Sequence, residues 1–145
     1  MERSRPGSPR YALGVAGHAL LHGRCECGAV EYEVADAFEY ALSCHCSNCR
    51  ASTGSMFKPF GGIAREHLRV VEGGDTLLVW GEEDGNHTRC GVCGSLLFSV
   101  VGPRVHVTYG SLRNEPTLKP TTHIFVGSKA PWEEIIDDLP QHEEY

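Results

Sequence analysis

All seven cysteines of the chain lie in three short clusters, and this clustering constrains the fold more than any other feature. The clusters are Cys25-x-Cys27, Cys44-His45-Cys46-x-x-Cys49 and Cys90-x-x-Cys93. Thiolates this close in sequence are typical of metal sites, and four of them close a tetrahedral zinc site. Seven sulfurs therefore predict one closed site and one site that keeps an open position.

Disulfides are the main alternative for these cysteines, and two features argue against them. An odd count leaves one thiol unpaired, and cysteines on alternate residues of a short strand are badly placed for a bridge. The N-terminal stretch carries Arg3, Arg5 and Arg10, but residues 11–21 are interrupted by glycine and histidine and contain no clear cleavage site. We therefore expect a reducing compartment, the cytoplasm, which suits metal thiolates.

The bulk composition limits the architecture and the partners. A chain of 145 residues is long enough for one domain with a modest core. We expect residues 1–17 to form a flexible N-terminal arm and residues 18–145 to form a single domain. No apolar run approaches the roughly 20 residues of a membrane span. The net charge of −6 argues against binding to nucleic acid, and the acidic C-terminus predicts a solvated face.

Glycine and proline interrupt short apolar runs along the whole chain, which favours strands and turns over long helices. Alternation of apolar and polar residues is clearest in 29–34 and 105–109, where one face of a strand should be buried. The other predicted strands are 18–23, 40–44, 56–61, 68–71, 76–80, 96–101 and 123–126. Helices are predicted only at 47–52 and 132–139, so the chain is predicted to be mainly β.

The spacings of the first and third clusters predict that they share one ion. Side chains at i and i+2 of an extended strand leave on the same face, so Cys25 and Cys27 can reach the same point. Glycines beside Cys90 and Cys93 allow the tight turn that brings these two sulfurs together. Each pair would supply half of a tetrahedron. The shared ion would then contribute to folding, because it joins distant parts of the chain.

The central cluster can form a site by itself. Cys44 and Cys46 share a strand face and Cys49 follows after one turn, so the three sulfurs form a tripod without distant help. The fourth coordination position then remains for water, a substrate thiol or a carbonyl oxygen. Two other partitions would use the same seven cysteines: a two-zinc cluster with a bridging thiolate, or a closed site made of the tripod and one further sulfur. A division into one four-cysteine site and one three-cysteine site fits the spacings best.

Polar residues around the central cluster are candidates for supporting roles. Strand alternation turns His45 away from the cysteines on either side, so we expect it to be hydrogen-bonded behind the site. Arg50 could hold an anionic substrate group. Ser55 belongs to a turn whose backbone N–H groups could face a ligand. Three further histidines could reach the open position, and the sequence does not decide among them: His87, His106 and His123.

On these motifs, the chain resembles the glutathione-dependent formaldehyde-activating enzyme family, which also contains centromere protein V. The resemblance covers about residues 18–143 and rests on motifs in a fixed order. They are Gly23-Arg24-Cys25-Glu26-Cys27-Gly28, Cys44-His45-Cys46-Ser47-Asn48-Cys49-Arg50, Cys90-Gly91-Val92-Cys93-Gly94-Ser95, Gly110-Ser111-Leu112 and Ala130-Pro131-Trp132. One position departs from the family pattern, because Arg89 stands where relatives often carry an aromatic residue.

The resemblance implies a β-tent fold of stacked antiparallel sheets and two zinc ions per chain. The implied ligand sets are Cys25, Cys27, Cys90 and Cys93 for a structural zinc and Cys44, Cys46 and Cys49 for a catalytic one. The implied activity is the condensation of glutathione with formaldehyde to S-hydroxymethylglutathione, which is a carbon–sulfur lyase reaction run in reverse.

Three functions remain open on the sequence. The first is a zinc-dependent lyase-type enzyme for a small thiol adduct such as that of glutathione, with the tripod as its catalytic site and Arg50 and Ser55 as substrate contacts. The second is a non-catalytic zinc-binding module for a thiol ligand or a protein partner. The third is association with DNA or chromatin, by analogy with the centromere member. The acidic balance of the chain argues against the third.

Overall fold

A computed structural model describes residues 17–145 of the chain. The predicted N-terminal arm, apart from its last residue, lies outside the described residues, and the division into arm and domain stays a prediction. The elements in chain order are β1 (Leu20–Arg24), β2 (Glu31–Ala35), β3 (Tyr40–Cys44), α1 (Ser47–Thr53), β4 (Lys58–Ala64), β5 (Leu68–Glu72), β6 (Leu77–Glu82), β7 (Gly85–Cys90), β8 (Leu96–Val101), β9 (Arg104–Thr108) and β10 (Thr122–Ile124). Short 3₁₀ turns occupy Arg65–His67, Gly74–Thr76, Tyr109–Ser111 and Val126–Ser128.

The strands form two sheets. Strands β1, β2 and β5 make a three-stranded antiparallel sheet, and the others make a seven-stranded sheet in the order β10-β3-β4-β9-β8-β7-β6. In the larger sheet β10 runs parallel to β3, while the remaining neighbours are antiparallel. The predicted mainly β architecture with stacked sheets is therefore confirmed. Within residues 17–145, no helix has the length and apolar character needed to cross a bilayer.

The main core lies between the two sheets. Its members come from both of them and include Leu21, Tyr32, Val34, Ile63, Val105 and Val107. Because side chains alternate along a strand, every second residue of the larger sheet points away from this core. We call that side the outer face. It carries a smaller apolar cluster around Cys44, Phe60 and Ile124.

Two secondary-structure predictions are wrong. Residues 132–139 form no helix, and two of their acidic side chains, Glu133 and Asp137, contact the buried His45 and His123. Residues 85–90 were not predicted as a strand, yet they form β7, paired with β6 through a tight turn at Glu83 and Asp84. Few side chains of β7 are buried, so its composition is polar and the sequence pattern did not indicate a strand there. The predicted bounds of β3 and β8 agree with the structure.

Tyr32 attaches the smaller sheet to the rest of the molecule. Its side chain is fully buried, its hydroxyl lies 2.6 Å from Oγ of Ser111, and its ring meets Phe98 edge-on. Gly23 lies directly opposite Tyr32 in β1, and a Cβ at that position would overlap the tyrosine ring. Glycine is therefore required at position 23 for space.

We expect Gly23→Ala to lower the free energy of unfolding by about 1–3 kcal/mol, because an added methyl group overpacks the Tyr32 site. Urea denaturation measures the change. Gly85→Ala is the matched control, since a Cβ there meets nothing within 4 Å. Its effect should stay within about 0.5 kcal/mol, and equal losses in the two variants would contradict this account of Gly23.

Candidate metal centres

The cysteines of the first and third clusters meet at one point. The Sγ atoms of Cys25, Cys27, Cys90 and Cys93 all lie within 4.8 Å of one another. The sulfurs of Cys25 and Cys27 are 3.6 Å apart, and those of Cys27 and Cys90 are 3.8 Å apart. Four sulfurs at about 2.3 Å from a tetrahedral zinc are separated by about 3.8 Å, so this spacing fits such an ion. We call these residues the four-sulfur group.

Two turns build the four-sulfur group. Cys25 and Cys27 lie in the turn between β1 and β2, so the prediction that they share the face of an extended strand is wrong. Gly28 at φ 80° and Gly94 at φ 81° adopt the left-handed conformation in the two turns, which glycine adopts without strain. Because the first turn belongs to the smaller sheet and the second to the larger, the group joins the two sheets.

Hydrogen-bond donors surround the four-sulfur group, although at Cys27 the backbone N–H of Ala29 is outweighed by burial and the neighbouring thiols, which raise the pKa to about 11. The N–H of Val30 donates to Sγ of Cys25 at 3.2 Å, and the N–H of Val92 donates to Sγ of Cys90 at 3.4 Å. A hydrogen bond from Ser95 lowers the pKa of Cys93 to about 5, and backbone donors act in the same direction. Since the thiolate is the form that binds metal, these donors suit the group to a metal ion.

The central cluster forms a second, separate set. The Sγ atoms of Cys44, Cys46 and Cys49 lie within 4.8 Å of one another, and among residues 17–145 no histidine or carboxylate joins them. Cys44 ends β3, Cys46 caps the N-terminus of α1 and Cys49 lies in its first turn. The N–H of Cys49 donates to Sγ of Cys46 at 3.3 Å. We call these residues the three-sulfur group; the sulfurs thus fall into four and three, as the spacing predicts.

The surroundings of Cys44 favour its ionisation. A hydrogen bond with Cys49 lowers the pKa of Cys44 to about 6, and the Cys46 N–H and the charge of Lys58 act in the same direction, against burial. Lys58 lies directly opposite Cys44 on the neighbouring strand β4. The three-sulfur group therefore offers a ready metal ligand near neutral pH.

His45 lies behind the three-sulfur group, as predicted, and is part of a chain of buried polar contacts. Its Nε2 is 2.8 Å from Nδ1 of His123, and its Nδ1 is 3.2 Å from a carboxylate oxygen of Glu133. His123 in turn bonds Asp137 at 3.0 Å through Nε2. Both nitrogens of His45 thus face polar groups other than the sulfurs.

The predicted solvated acidic face at the C-terminus is confirmed except at Glu133, which this chain of contacts buries. The side chain of Glu133 is only 8% exposed, whereas that of Asp137 is 48% exposed. Backbone bonds from His123 to Pro140 and from Val126 to His142 hold the same segment beside β10. The C-terminal segment therefore packs against the back of the three-sulfur group.

The predicted substrate contacts lie beside α1. Arg50 and Ser55 line a cavity of about 410 Å³ together with Met56 and Trp132. Among the described residues, Nε of Arg50 is buried without a hydrogen-bond partner. Ser55 also borders a larger cavity of about 570 Å³, whose cationic lining residues are Arg24, Arg89 and Arg113. The other three candidate histidines bond partners away from the sulfurs: His87 bonds Ser99, His106 bonds Tyr40, and His123 bonds His45 and Asp137.

Arg89, which the sequence marks only as a departure from the family pattern, connects the two groups of sulfurs. Its guanidinium donates to the carbonyl of Gly94 at 3.1 Å and to the carbonyl of Ser52. Gly94 belongs to the second turn of the four-sulfur group, and Ser52 lies in the last turn of α1, where a cation is favourable. A positive charge next to the third cysteine cluster was the only sequence signal for this link.

Comparison with known proteins agrees with this arrangement. A family model described as "Glutathione-dependent formaldehyde-activating enzyme" matches residues 20–128, a range that contains all seven cysteines. The chain belongs to the glutathione-dependent formaldehyde-activating enzyme family. The family predicted from the motifs is therefore confirmed. The match ends before the segment that carries Glu133 and Asp137.

Two relatives of this family member show the extent of the similarity. A Halomonas elongata protein named "Putative glutathione-dependent formaldehyde-activating enzyme" is 30% identical over 136 residues, covering 80% of this chain and 81% of that protein. A crystal structure of a Rhodobacter sphaeroides protein has a TM-score of 0.54 at 28% identity, covering 66% of this chain and 91% of that one.

We expect Glu133→Gln to lower the free energy of unfolding by about 1–3 kcal/mol, because it removes the charged partner of a buried imidazole. Chemical denaturation at neutral pH measures the loss. Glu134→Gln is the matched control, because the neighbouring Glu134 is exposed. The role assigned to Glu133 is wrong if both variants unfold at the same denaturant concentration.

Proposed function

We propose that the protein is a zinc-dependent enzyme of the carbon–sulfur lyase type that joins a small thiol to an aldehyde, with glutathione and formaldehyde as the first candidates. One observation carries this proposal. The three-sulfur group supplies three ligands from one short segment, and no fourth ligand joins it among residues 17–145. Catalytic zinc sites keep such an open position, whereas structural sites close with four protein ligands. Membership of the family supports the choice of substrates.

The proposal gives the two groups of sulfurs different roles. The four-sulfur group is assigned to a structural zinc, because its donor set is complete and links two sheets. The three-sulfur group is assigned to a catalytic zinc. A zinc ion in such a site lowers the pKa of a thiol that ligates it and polarises a carbonyl oxygen. The thiolates of both sulfur groups stay reduced in a reducing compartment, and for this reason we place the enzyme in the cytoplasm.

The reaction forms one carbon–sulfur bond at the expense of the carbonyl π bond and needs no redox partner. The thiol sulfur of the substrate attacks the aldehyde carbon, and the thiol proton ends on the former carbonyl oxygen. Lys58 stands opposite Cys44, where its charge offsets the negative charge of the thiolates. Arg50 and Ser55 share a cavity beside α1, and the guanidinium is suited to a substrate carboxylate. These contacts would orient a peptide-like thiol against the three-sulfur group.

The division of roles predicts two different mutant phenotypes. Cys46→Ser should lower the zinc content from about two ions per chain to about one while the fold survives, because its group closes only a short loop. Cys90→Ser should lose both stability and zinc, because its group joins distant segments. Elemental analysis and thermal unfolding measure these properties. The assignment is refuted if Cys46→Ser loses its fold, or if Cys90→Ser unfolds at the same temperature as the parent.

The open position predicts that a thiol binds there. In the cobalt-substituted protein, glutathione should change the visible spectrum of the parent but not of Cys46→Ser, because thiolate ligation alters the cobalt bands. Binding should also release a proton near neutral pH, since a ligated thiol has a pKa below its free value of about 8.5.

Catalysis requires one more result. The parent should accelerate the formation of S-hydroxymethylglutathione over the uncatalysed reaction, measured by exchange NMR, and Cys46→Ser should not. Binding without acceleration would support the alternative of a non-catalytic zinc-binding module. The absence of any spectral change with glutathione or other small thiols would contradict the enzyme proposal.

A further inference from the structure

A row of side chains crosses the outer face of the seven-stranded sheet. Its six members come from six strands and stand opposite one another from β6 to β3: Trp80, His87, Ser99, His106, Gly62 and Tyr40. The strand register alone brings them together, because they are scattered between positions 40 and 106 of the sequence.

Each imidazole of the row has one nitrogen engaged. Nδ1 of His87 lies 2.8 Å from Oγ of Ser99, and Nε2 of His106 lies 2.7 Å from the hydroxyl of Tyr40. Gly62 makes the second contact possible, because a Cβ at that position would overlap the Tyr40 ring. Within residues 17–145, the other nitrogen of each imidazole makes no side-chain hydrogen bond, so it can meet a ligand.

Lys58 adds a buried charge beside this row. Its side chain is only 4% exposed, and its ammonium lies 5.3 Å from the centroid of the Phe60 ring. Among residues 17–145, no carboxylate forms an ion pair with it. Lysines are almost never buried without a partner, because an uncompensated charge is costly in the protein interior. The thiolate of Cys44, opposite Lys58 on β3, offsets part of this charge, and with no carboxylate competing for the ammonium Lys58 can also meet an anion in the adjoining cavity.

A cavity of about 260 Å³ opens beside Lys58. Its lining includes His87, Ser99 and His106 from the row, with Val100 and Val101 beside them. Trp80 forms one wall, where its ring is 73% exposed and stacks on His87 with a centroid distance of 6.0 Å. The cavity thus combines one cation, several neutral polar groups and apolar walls, which is the usual make-up of a small-molecule site.

We propose that this cavity binds a small organic carboxylate, with the negative charge against the ammonium of Lys58. The second nitrogens of His87 and His106 supply hydrogen bonds, and Trp80 covers the apolar part of the ligand. This assignment rests on the geometry of the outer face and does not depend on the proposed function.

The charge balance favours a monoanion over a phosphate dianion. Burial lowers the pKa of His87 and lowers that of His106 to about 4, so both rings are neutral at pH 7 and Lys58 is the one charged group of the lining. One cation beside two neutral rings suits a ligand with a single negative charge, whereas a dianion would bring a second charge that no cation of the lining meets. The valine and tryptophan walls further suit an alkyl carboxylate.

Trp80 provides the signal for a direct test. The chain has two tryptophans, so the Trp132→Phe variant leaves Trp80 as the single reporter at the cavity. The full chain with its metal retained is titrated with butanoate, with its neutral amide butanamide and with inorganic phosphate. Butanoate should give a saturable fluorescence change with a Kd of about 1 mM or tighter. Butanamide and phosphate should bind at least ten-fold more weakly. No saturation with butanoate, or equal binding of either comparison compound, overturns the proposal.

Two lysine variants in the Trp132→Phe background locate the charge that binds. Lys58→Met should weaken butanoate binding at least ten-fold. Lys119→Met, which removes the same charge from a side chain that is 72% exposed, should bind like the parent. Parent-like binding in Lys58→Met would overturn the proposal and leave Lys58 with its role opposite Cys44 alone. If circular dichroism shows that Lys58→Met does not fold, the comparison of butanoate with butanamide on the parent decides.

Discussion

Four sulfur atoms join the two sheets of this protein, and they come from turns that lie 63 positions apart between Cys27 and Cys90. The rest of the fold depends on this junction. Closing so long a loop costs chain entropy, and a chain of this size has a modest core with which to offset it. Metal ligation would supply the difference, and the backbone donors to Cys25 and Cys90 hold the sulfurs ready for it. Tyr32, buried against Ser111, reinforces the same junction through packing.

Because the main core lies between the two sheets, the outer face of the larger sheet does not pack against it and is available for a functional site. The three-sulfur group lies there, built from the end of β3 and the start of α1, so its geometry depends on local backbone and not on distant loops. His45 lies behind the three-sulfur group, and its nitrogens contact His123 and Glu133. Arg89 links α1 to the four-sulfur turn. The two groups of sulfurs are thus separate sites, and Arg89 connects the segments that carry them.

The sequence predicted what local spacing determines and missed what strand register determines. The grouping of the cysteines and the direction of His45 followed from spacing and alternation. The turn at Cys25 was missed because the i, i+2 argument assumed an extended strand, whereas Gly28 takes a left-handed conformation. The helix predicted at 132–139 is absent, and no local pattern reveals that Glu133 has a buried partner. The proposed site at Lys58 could not be predicted, because its lining comes from five strands that only the strand register brings together.

The central claim is that the three-sulfur group, and not the four-sulfur group, keeps a position open for a thiol. NMR of the cadmium-substituted protein tests it most directly, because each bound cadmium gives its own resonance and the shift reports the number of sulfur ligands. The account predicts two resonances, of which one moves towards the four-sulfur position when glutathione is added while the other stays fixed. Two resonances that both stay fixed, or a shift of the four-sulfur resonance, would contradict it.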